Sequence, residues 1–309
     1  MYRCVFVFAY ALSLQTLPSF NITDAELLKI SRTLRNVDRN KAHSYQIQIN
    51  YQGRTQPNSK RDEADYEFFT LMDINLLQKP SYSLLVDMMN NYNPRTGIAE
   101  PRVSLHEEAR EVNAFLDIIL GSKPFQKLFE FLKRKEHPFA SSERDFRRWI
   151  ERLWFEQYSR SKGKLDTSGF EHVFMGEIKG NKVTGLHNWI RLYYLEKAED
   201  FDYQGFIHKR ADVIASIKFS WRRKLKRINS VLIGTSPEYE MALYTLCFLS
   251  RRKKNVCNVE IDGCPISIAS YEVIQNGKVH IGSTFPKIRG KHDVCKKSNA
   301  KQPAMDDDE

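Results

Sequence analysis

The chain has 309 residues, a formal charge of +10 at pH 7, and 41% hydrophobic and 12% aromatic side chains. That length and apolarity suffice for the core of one large domain or two, which excludes an unfolded polar chain. The basic surplus draws polyanions to the surface and keeps nucleic acids and acidic glycans among the expected partners.

Residues 1–20 carry one charge, Arg3, ahead of the apolar run from Cys4 to Leu12 and the small or turn-forming Thr16, Pro18 and Ser19. This is the pattern of a secretory signal peptide and predicts a secreted protein. No later stretch gives the eighteen or more apolar residues of a membrane span. Asn21-Ile22-Thr23 is a glycosylation sequon just past the expected cleavage point. A short amphipathic helix is expected over 24–34, capped by Thr23 or Asp24, and a half-exposed strand over 45–51. The polar, turn-rich residues 53–65 read as a loop, and helical periodicity recurs over 82–91, 105–120, 124–135 and 141–161. After a polar connector at 164–169, strands are expected over 170–178, 213–221, 228–233, 256–261, 265–273 and 278–283. Helices are expected between them over 187–199 and 237–249, the latter with Ser236 as N-cap and Pro237 as its first residue. The fold class is therefore α+β: a mainly helical part over 21–163, an antiparallel-sheet part over 164–290 and a charged tail over 291–309. Whether the two parts are one domain or two stays open, no internal repeat is visible, and a monomer is expected.

Loss of Cys4 with the leader leaves Cys247, Cys257, Cys264 and Cys295. An even number in an oxidising compartment favours two disulfides. Of the three possible pairings, Cys247 with Cys257 is favoured, because a helix end and the following strand can meet there. The spacings do not resemble a zinc finger.

The candidate chemistry centres on 168–189, where His172 and His187 sit in glycine-punctuated apolar segments with Glu171 and Glu177 around the first. A β-hairpin that brings two imidazoles together is the expected local structure. An imidazole titrates near pH 6.5, so a pair can serve both ends of one proton-transfer reaction. Cleavage of RNA through its own 2′-hydroxyl needs such a base and acid, with a cation for the charge that builds on phosphorus. The stretch 218–227 holds six cationic side chains and Trp221. It reads either as a charge-protected strand edge or as a phosphate track with an aromatic ring for stacking. The histidines at 43, 106, 137, 208, 280 and 292 show no partner pattern and are read as surface or structural.

Three long stretches, in order, carry a resemblance: Gly-Phe-Glu-His-Val-Phe-Met-Gly-Glu (169–177), Val-Thr-Gly-Leu-His-Asn-Trp-Ile-Arg (183–191) and Ile-Gly-Thr-Ser-Pro-Glu-Tyr-Glu-Met-Ala-Leu-Tyr-Thr-Leu-Cys-Phe (233–248). They resemble the EndoU family, the XendoU-like, poly(U)-specific endoribonucleases, whose catalytic core is related to the coronavirus uridylate-specific endoribonuclease. The likeness spans roughly residues 24 to 290. It implies cleavage of single-stranded RNA at uridylates to 2′,3′-cyclic phosphate ends, with His172, His187 and Lys226 as the catalytic set. By analogy His187 is the base, His172 the acid and Lys226 the charge stabiliser. Ser230 matches a position associated with reading the uracil edge, and Glu171 and Glu177 match required acidic residues that act through histidine orientation or a metal.

The sequence departs from the family pattern at Gly282-Ser-Thr-Phe-Pro286, where Gly-Thr-Ala-Tyr-Pro is common. Ser283 keeps the hydroxyl, while Phe285 keeps a ring that can stack on ribose or base but lacks the phenolic oxygen. The resemblance also implies a divalent ion, Mn2+ or Ca2+, although no compact ligand motif places it and its ligands stay unknown. An alternative expectation is a catalytically weakened protein on the same scaffold that binds RNA or another polyanion through 218–227.

Overall fold

A computed structural model describes residues 17–90, 92–98, 105–161, 163–252, 256–288 and 295. Most of the expected leader and nearly all of the charged tail lie outside these residues. Four helices lead the chain: α1 (Asp24–Asn36), α2 (Ile74–Leu77), α3 (Pro80–Asp87) and α4 (Leu105–Gly121), with the short antiparallel pair β1 (Ile47–Ile49) and β2 (Phe69–Met72) between α1 and α2. Helices α5 (Lys123–Arg134) and α6 (Glu143–Phe155) complete the helical part. Their starts follow sequence rules: Thr23 forms a capping box with Glu26, and Ser122 and Ser142 cap α5 and α6.

Strands β3 (Glu177–Lys179) and β4 (Lys182–Thr184) form a hairpin, followed by α7 (Trp189–Lys197). Two antiparallel three-stranded sheets come next. One is β5 (Phe201–Arg210), β6 (Ile214–Trp221) and β7 (Lys224–Leu232); the other is β8 (Cys257–Ile261), β9 (Cys264–Gln275) and β10 (Lys278–Ile288). Between the sheets in sequence runs α8 (Pro237–Arg251), in which every side chain from Pro237 to Leu249 is buried. A helix buried on all sides belongs at the centre of a core, and α8 packs against α1, α3, α5, β9 and β10. Across the two sheets β7 meets both β4 and β10. That junction holds the candidate site. Among the described residues no helix is long and apolar enough to cross a membrane.

The disulfides are Cys247–Cys257, as favoured from the sequence, and Cys264–Cys295. The first ties the last turns of α8 to β8, and the second joins Cys295 to the start of β9. Asn21, the sequon residue, is exposed.

Leu17 and Phe20, at the end of the expected leader, are buried in the core, Phe20 edge-on to Phe131 and His137. Two readings of the sequence need correction. The strand expected over 170–178 is instead one π-helical turn, Glu171–Met175, closed by the Gly176 N–H donating to the Glu171 carbonyl at 2.8 Å. Only Glu177–Lys179 is strand. The apolar run Val173-Phe174-Met175 is fully buried, and a short continuous apolar run does not discriminate strand from buried helix. Trp221, which the phosphate-track reading of 218–227 made available for stacking, is fully buried, with the guanidinium groups of Arg191 and Arg222 over its ring.

Candidate active site

Backbone hydrogen bonds bring the two histidines together before any side chain acts. The Leu186 and His187 N–H groups donate to the carbonyls of His172 at 3.0 Å and Val173 at 2.7 Å, so the segment after β4 lies along the π turn. Gly185 makes this approach possible, since a Cβ there would lie 1.7 Å from the His172 carbonyl oxygen. A π turn inserted in this way is a recurrent device of functional sites.

Each imidazole has one ring nitrogen assigned by its neighbour. His172 Nδ1 lies 2.8 Å from Glu177 Oε2, so the carboxylate accepts its N–H. His187 Nδ1 lies 2.9 Å from the Ser230 carbonyl, which can only accept, so the proton sits on Nδ1 and Nε2 carries a lone pair. Both histidines are buried, at 5% and 6% exposure. Burial, and next the charge of Lys226, push His187 well below its ordinary value, against the hydrogen bond to Ser230. Burial also lowers His172, but the charge and hydrogen bond of Glu177 work in the opposite direction. One ring is thus held neutral, and the other has a carboxylate partner for its charged form.

Lys226 on β7 donates from Nζ to the Gly185 carbonyl at 3.0 Å. Burial lowers its ammonium to about 8, against the pull of Glu177. Asn229, next on the same face of β7 after a bulge, donates to the Leu186 carbonyl at 2.8 Å. Lys226 and Asn229 therefore clamp the 185–187 segment from the sheet side.

Glu177 is engaged on both oxygens. Oε1 accepts from the Thr167 hydroxyl and lies 3.3 Å from Arg160 Nε, while Oε2 faces His172 and, at 3.4 Å, the Thr184 hydroxyl. Burial alone would raise its carboxyl, but His172, Arg160 and Thr167 bring it below the ordinary range. Glu177 is thus the orienting carboxylate for His172. Glu171 is not, because it accepts from the Ser168 N–H at 3.0 Å while the Ser168 hydroxyl accepts from its own N–H. That reciprocal pair caps the start of the π turn.

Of the substrate-side candidates, Ser230 is fixed by a 2.7 Å hydrogen bond between its hydroxyl and that of Ser216, and its carbonyl holds His187. Phe285 stacks on His187 with centroids 4.8 Å apart and planes at 16°, so one of its faces covers the imidazole. Tyr271 lies at 6.1 Å and Lys287 Nζ at 5.2 Å from the centre of the same ring. Ser283, two residues earlier on β10, shares the face of Phe285.

The sequence left several supporting residues unidentified: Arg160 and Thr167 behind Glu177, Ser216 behind Ser230, and Glu240 behind Asn188. Asn188, the N-cap of α7 and neighbour of His187, donates to buried Glu240 at 3.2 Å. Of these supporting residues only Glu240 lies in one of the stretches that carry the resemblance, and only the folded chain brings any of them near its partner. Among the described residues no group of three or more His, Cys, Asp or Glu side chains could hold a metal ion. With both Glu177 oxygens in use, the residues present do not form the ligand set that a divalent ion at the histidines would need.

Replacing Glu177 by Gln removes the charge that favours the imidazolium of His172. The His172 pKa then falls further, and the basic limb of any rate profile that needs His172 protonated moves to lower pH. Comparing rate profiles of Glu177→Gln and the parent across pH 5–9 checks this; superimposed basic limbs would refute it.

Two imidazoles with different partners and a nearby ammonium define a two-ended acid–base site with an added cation. Residues 26–286 match the family described as endoribonuclease XendoU, and the chain belongs to that family. The bovine uridylate-specific endoribonuclease is 38% identical over 276 residues, which cover 85% of this chain and 65% of that protein, so the match spans just under two thirds of the relative's length. Uridylate-specific endoribonuclease D of Xenopus laevis is 36% identical over 279 residues, covering 86% of this chain and 90% of that protein. Among solved structures, that of XendoU, described as a splicing independent snoRNA processing endoribonuclease, matches 87% of this chain and 99% of its own, with a TM-score of 0.74 and 29% identity.

Proposed function

We propose that the protein cleaves single-stranded RNA at uridylates by attack of the 2′-hydroxyl on the adjoining phosphorus. The observation that carries this reading is the unequal environment of two adjacent histidines. His187, neutral with its Nε2 lone pair available, takes the proton of the 2′-hydroxyl as the O2′–P bond forms. His172, whose protonated form is stabilised by Glu177, gives a proton to the 5′-oxygen as the P–O5′ bond breaks. The products are a 2′,3′-cyclic phosphate and a 5′-hydroxyl, and the two histidines end with their proton states exchanged. The Lys226 ammonium stabilises the negative charge on the nonbridging oxygens, a contribution typically worth a hundredfold or more. Family membership and the uridylate-specific names of its relatives support the base preference.

Incubating the purified protein with a short RNA containing a single uridine, and identifying the new ends, tests the reaction. Intact RNA, or cleavage leaving a 3′-phosphate without a cyclic intermediate, would reject it. The same incubation with a chelator, then with manganese or calcium restored, tests the proposed ion stimulation, and no step above runs through an ion. Secretion is part of the same proposal, with leader removal ahead of Leu17, since Leu17 and Phe20 fill the core. N-terminal sequencing of the exported protein checks this, and a first residue after Phe20 would contradict it.

A further inference from the structure

The polar loop at 53–65 and the basic stretch at 218–227 are left over by the catalytic site, and the fold places them against each other. Residues 53–55 run along the outer edge of β5. The Thr55 N–H donates to the Phe206 carbonyl at 2.8 Å, and the Phe206 N–H donates to that of Gly53 at 3.2 Å. The chain then crosses the sheet toward β7. Lys218 on β6, only 2% exposed, donates to the carbonyls of Ser59 at 2.8 Å and Arg61 at 3.3 Å, and Arg227 on β7 donates to the Asn58 side chain at 2.7 Å. A buried ammonium is costly unless its protons are satisfied. The loop is thus built into place across the sheet.

The loop covers the face that carries Ser216 and Ser230; Lys226 and Asn229 lie on the opposite face of β7, and the two faces meet at the β7 edge, where the Ser230 carbonyl holds His187. His208 on β5 pairs with Ser216 on β6, and Ser216 pairs with Ser230 on β7, so their side chains share one face. Lys218, two residues from Ser216, points the same way. At the β5 end of this row lies a cavity of about 390 Å³ lined by Arg54, Thr55, Gln56, Pro57, Ile207 and His208. The Thr55 hydroxyl in its wall is buried and has no hydrogen-bond partner among the described residues. Two strand spacings, about 10 Å, separate His208 from Ser230. Arg54, whose Nε donates to the Ile207 carbonyl at 3.3 Å, and Lys60, Arg61 and Arg227 are exposed around this path. The acids nearest it in sequence are Asp62, which accepts from the Ala64 N–H, and Glu63, 3.5 Å from Arg61.

We infer that this trough carries RNA phosphates flanking the scissile uridylate, with Arg54 as a phosphate contact and Lys218 as the residue that positions the loop. The inference rests on the ribonuclease reading above and adds a second anchoring point, away from the reacting phosphorus. It also assigns the basic stretch a role without Trp221, because Lys218 shapes the track rather than lining it.

The test uses the full-length protein and two RNAs. One is a uridine dinucleotide, too short to reach the trough. The other is an eight-nucleotide RNA whose single uridine carries a 2′-deoxyribose, which binds without being cut. Arg54→Gln is expected to weaken binding of the longer RNA about threefold or more near 0.1 M salt and to make the log–log salt dependence shallower by about 0.7, one phosphate contact on a single strand. The kcat/KM for the dinucleotide is expected to stay within about twofold. Lys218→Met should reproduce the loss on the longer RNA with the dinucleotide again unaffected. Equal losses on both RNAs, or an unchanged salt slope for Arg54→Gln, would overturn the inference. So would weaker retention on heparin with RNA binding intact, which would assign the trough to an acidic glycan. A parent protein that leaves the dinucleotide uncut would count against the ribonuclease reading alone, since binding of the uncleavable RNA reports on the trough independently.

Discussion

His187→Ala, which removes the proposed general base, is expected to lower the single-turnover rate of cleavage at uridylate by about a hundred- to ten-thousand-fold, the usual contribution of a positioned general base. The substitution also leaves the Ser230 carbonyl without its donor and a gap beside Phe285, so some stability is lost. A melting curve and the affinity for uncleavable RNA separate that loss from the chemical one. The pH profile gives the sharper readout. Burial and the charge of Lys226 hold the His187 pKa well below 6.5, so the acid limb of the profile, where the rate rises with pH, should lie below pH 6.5. In His187→Ala that acid limb should vanish along with most of the rate. On the basic side the parent rate should fall first as His172, also held below its ordinary value, loses its proton, and fall further above about 8, where Lys226 loses its charge. A His187→Ala protein that is folded, binds RNA and cuts as fast as the parent would remove His187 from the mechanism.

What the sequence disclosed and what it concealed differ in physical kind. Helix α8 was legible because its start is written locally, with Ser236 accepting from the Tyr239 N–H and Pro237 in the first turn. The pairing of Cys247 with Cys257 was legible for a similar reason, since ten residues link a helix end to the next strand. The turn carrying His172 was not legible, because Val173, Phe174 and Met175 are buried whichever backbone they adopt. Strand β5 was missed where Gly205, at φ +108°, and the register shifts around Phe206 break its alternation. The proposed catalytic trio was named by family resemblance, not by spacing. What distinguishes the two histidines, Glu177 for one and the Ser230 carbonyl for the other, became visible only once β3, β4 and β7 were assembled. The role of Lys218 was hidden for the same reason: a basic run in sequence does not show which cation is spent on backbone carbonyls.

Gly185→Ala should disable the site without touching a catalytic side chain. Gly185 has φ +64°, a conformation that costs other residues roughly 1–2 kcal/mol. Gly180, in the β3–β4 turn, has φ +59° and nothing within 4 Å of the place a methyl group would take, so Gly180→Ala bears that backbone cost alone. At Gly185 the new Cβ would meet the His172 carbonyl oxygen at 1.7 Å and its carbon at 2.7 Å. These are backbone atoms, so the two segments must separate by an ångström or more. The same segment holds the carbonyl that anchors Lys226, the Leu186 N–H on the His172 carbonyl and the His187 N–H on that of Val173. One methyl group therefore shifts all three catalytic groups relative to one another, and a misplacement of about 1 Å is enough to cost a hundredfold in rate. Gly185→Ala is expected to lose about a hundredfold or more in kcat, and Gly180→Ala to keep its rate within about twofold at a similar backbone cost. Rates and melting temperatures of the two variants, measured side by side, separate misplacement of the catalytic set from loss of fold. A Gly185→Ala protein that cuts RNA as fast as Gly180→Ala would show that the contact between the π turn and the 185–187 segment does not set the catalytic geometry.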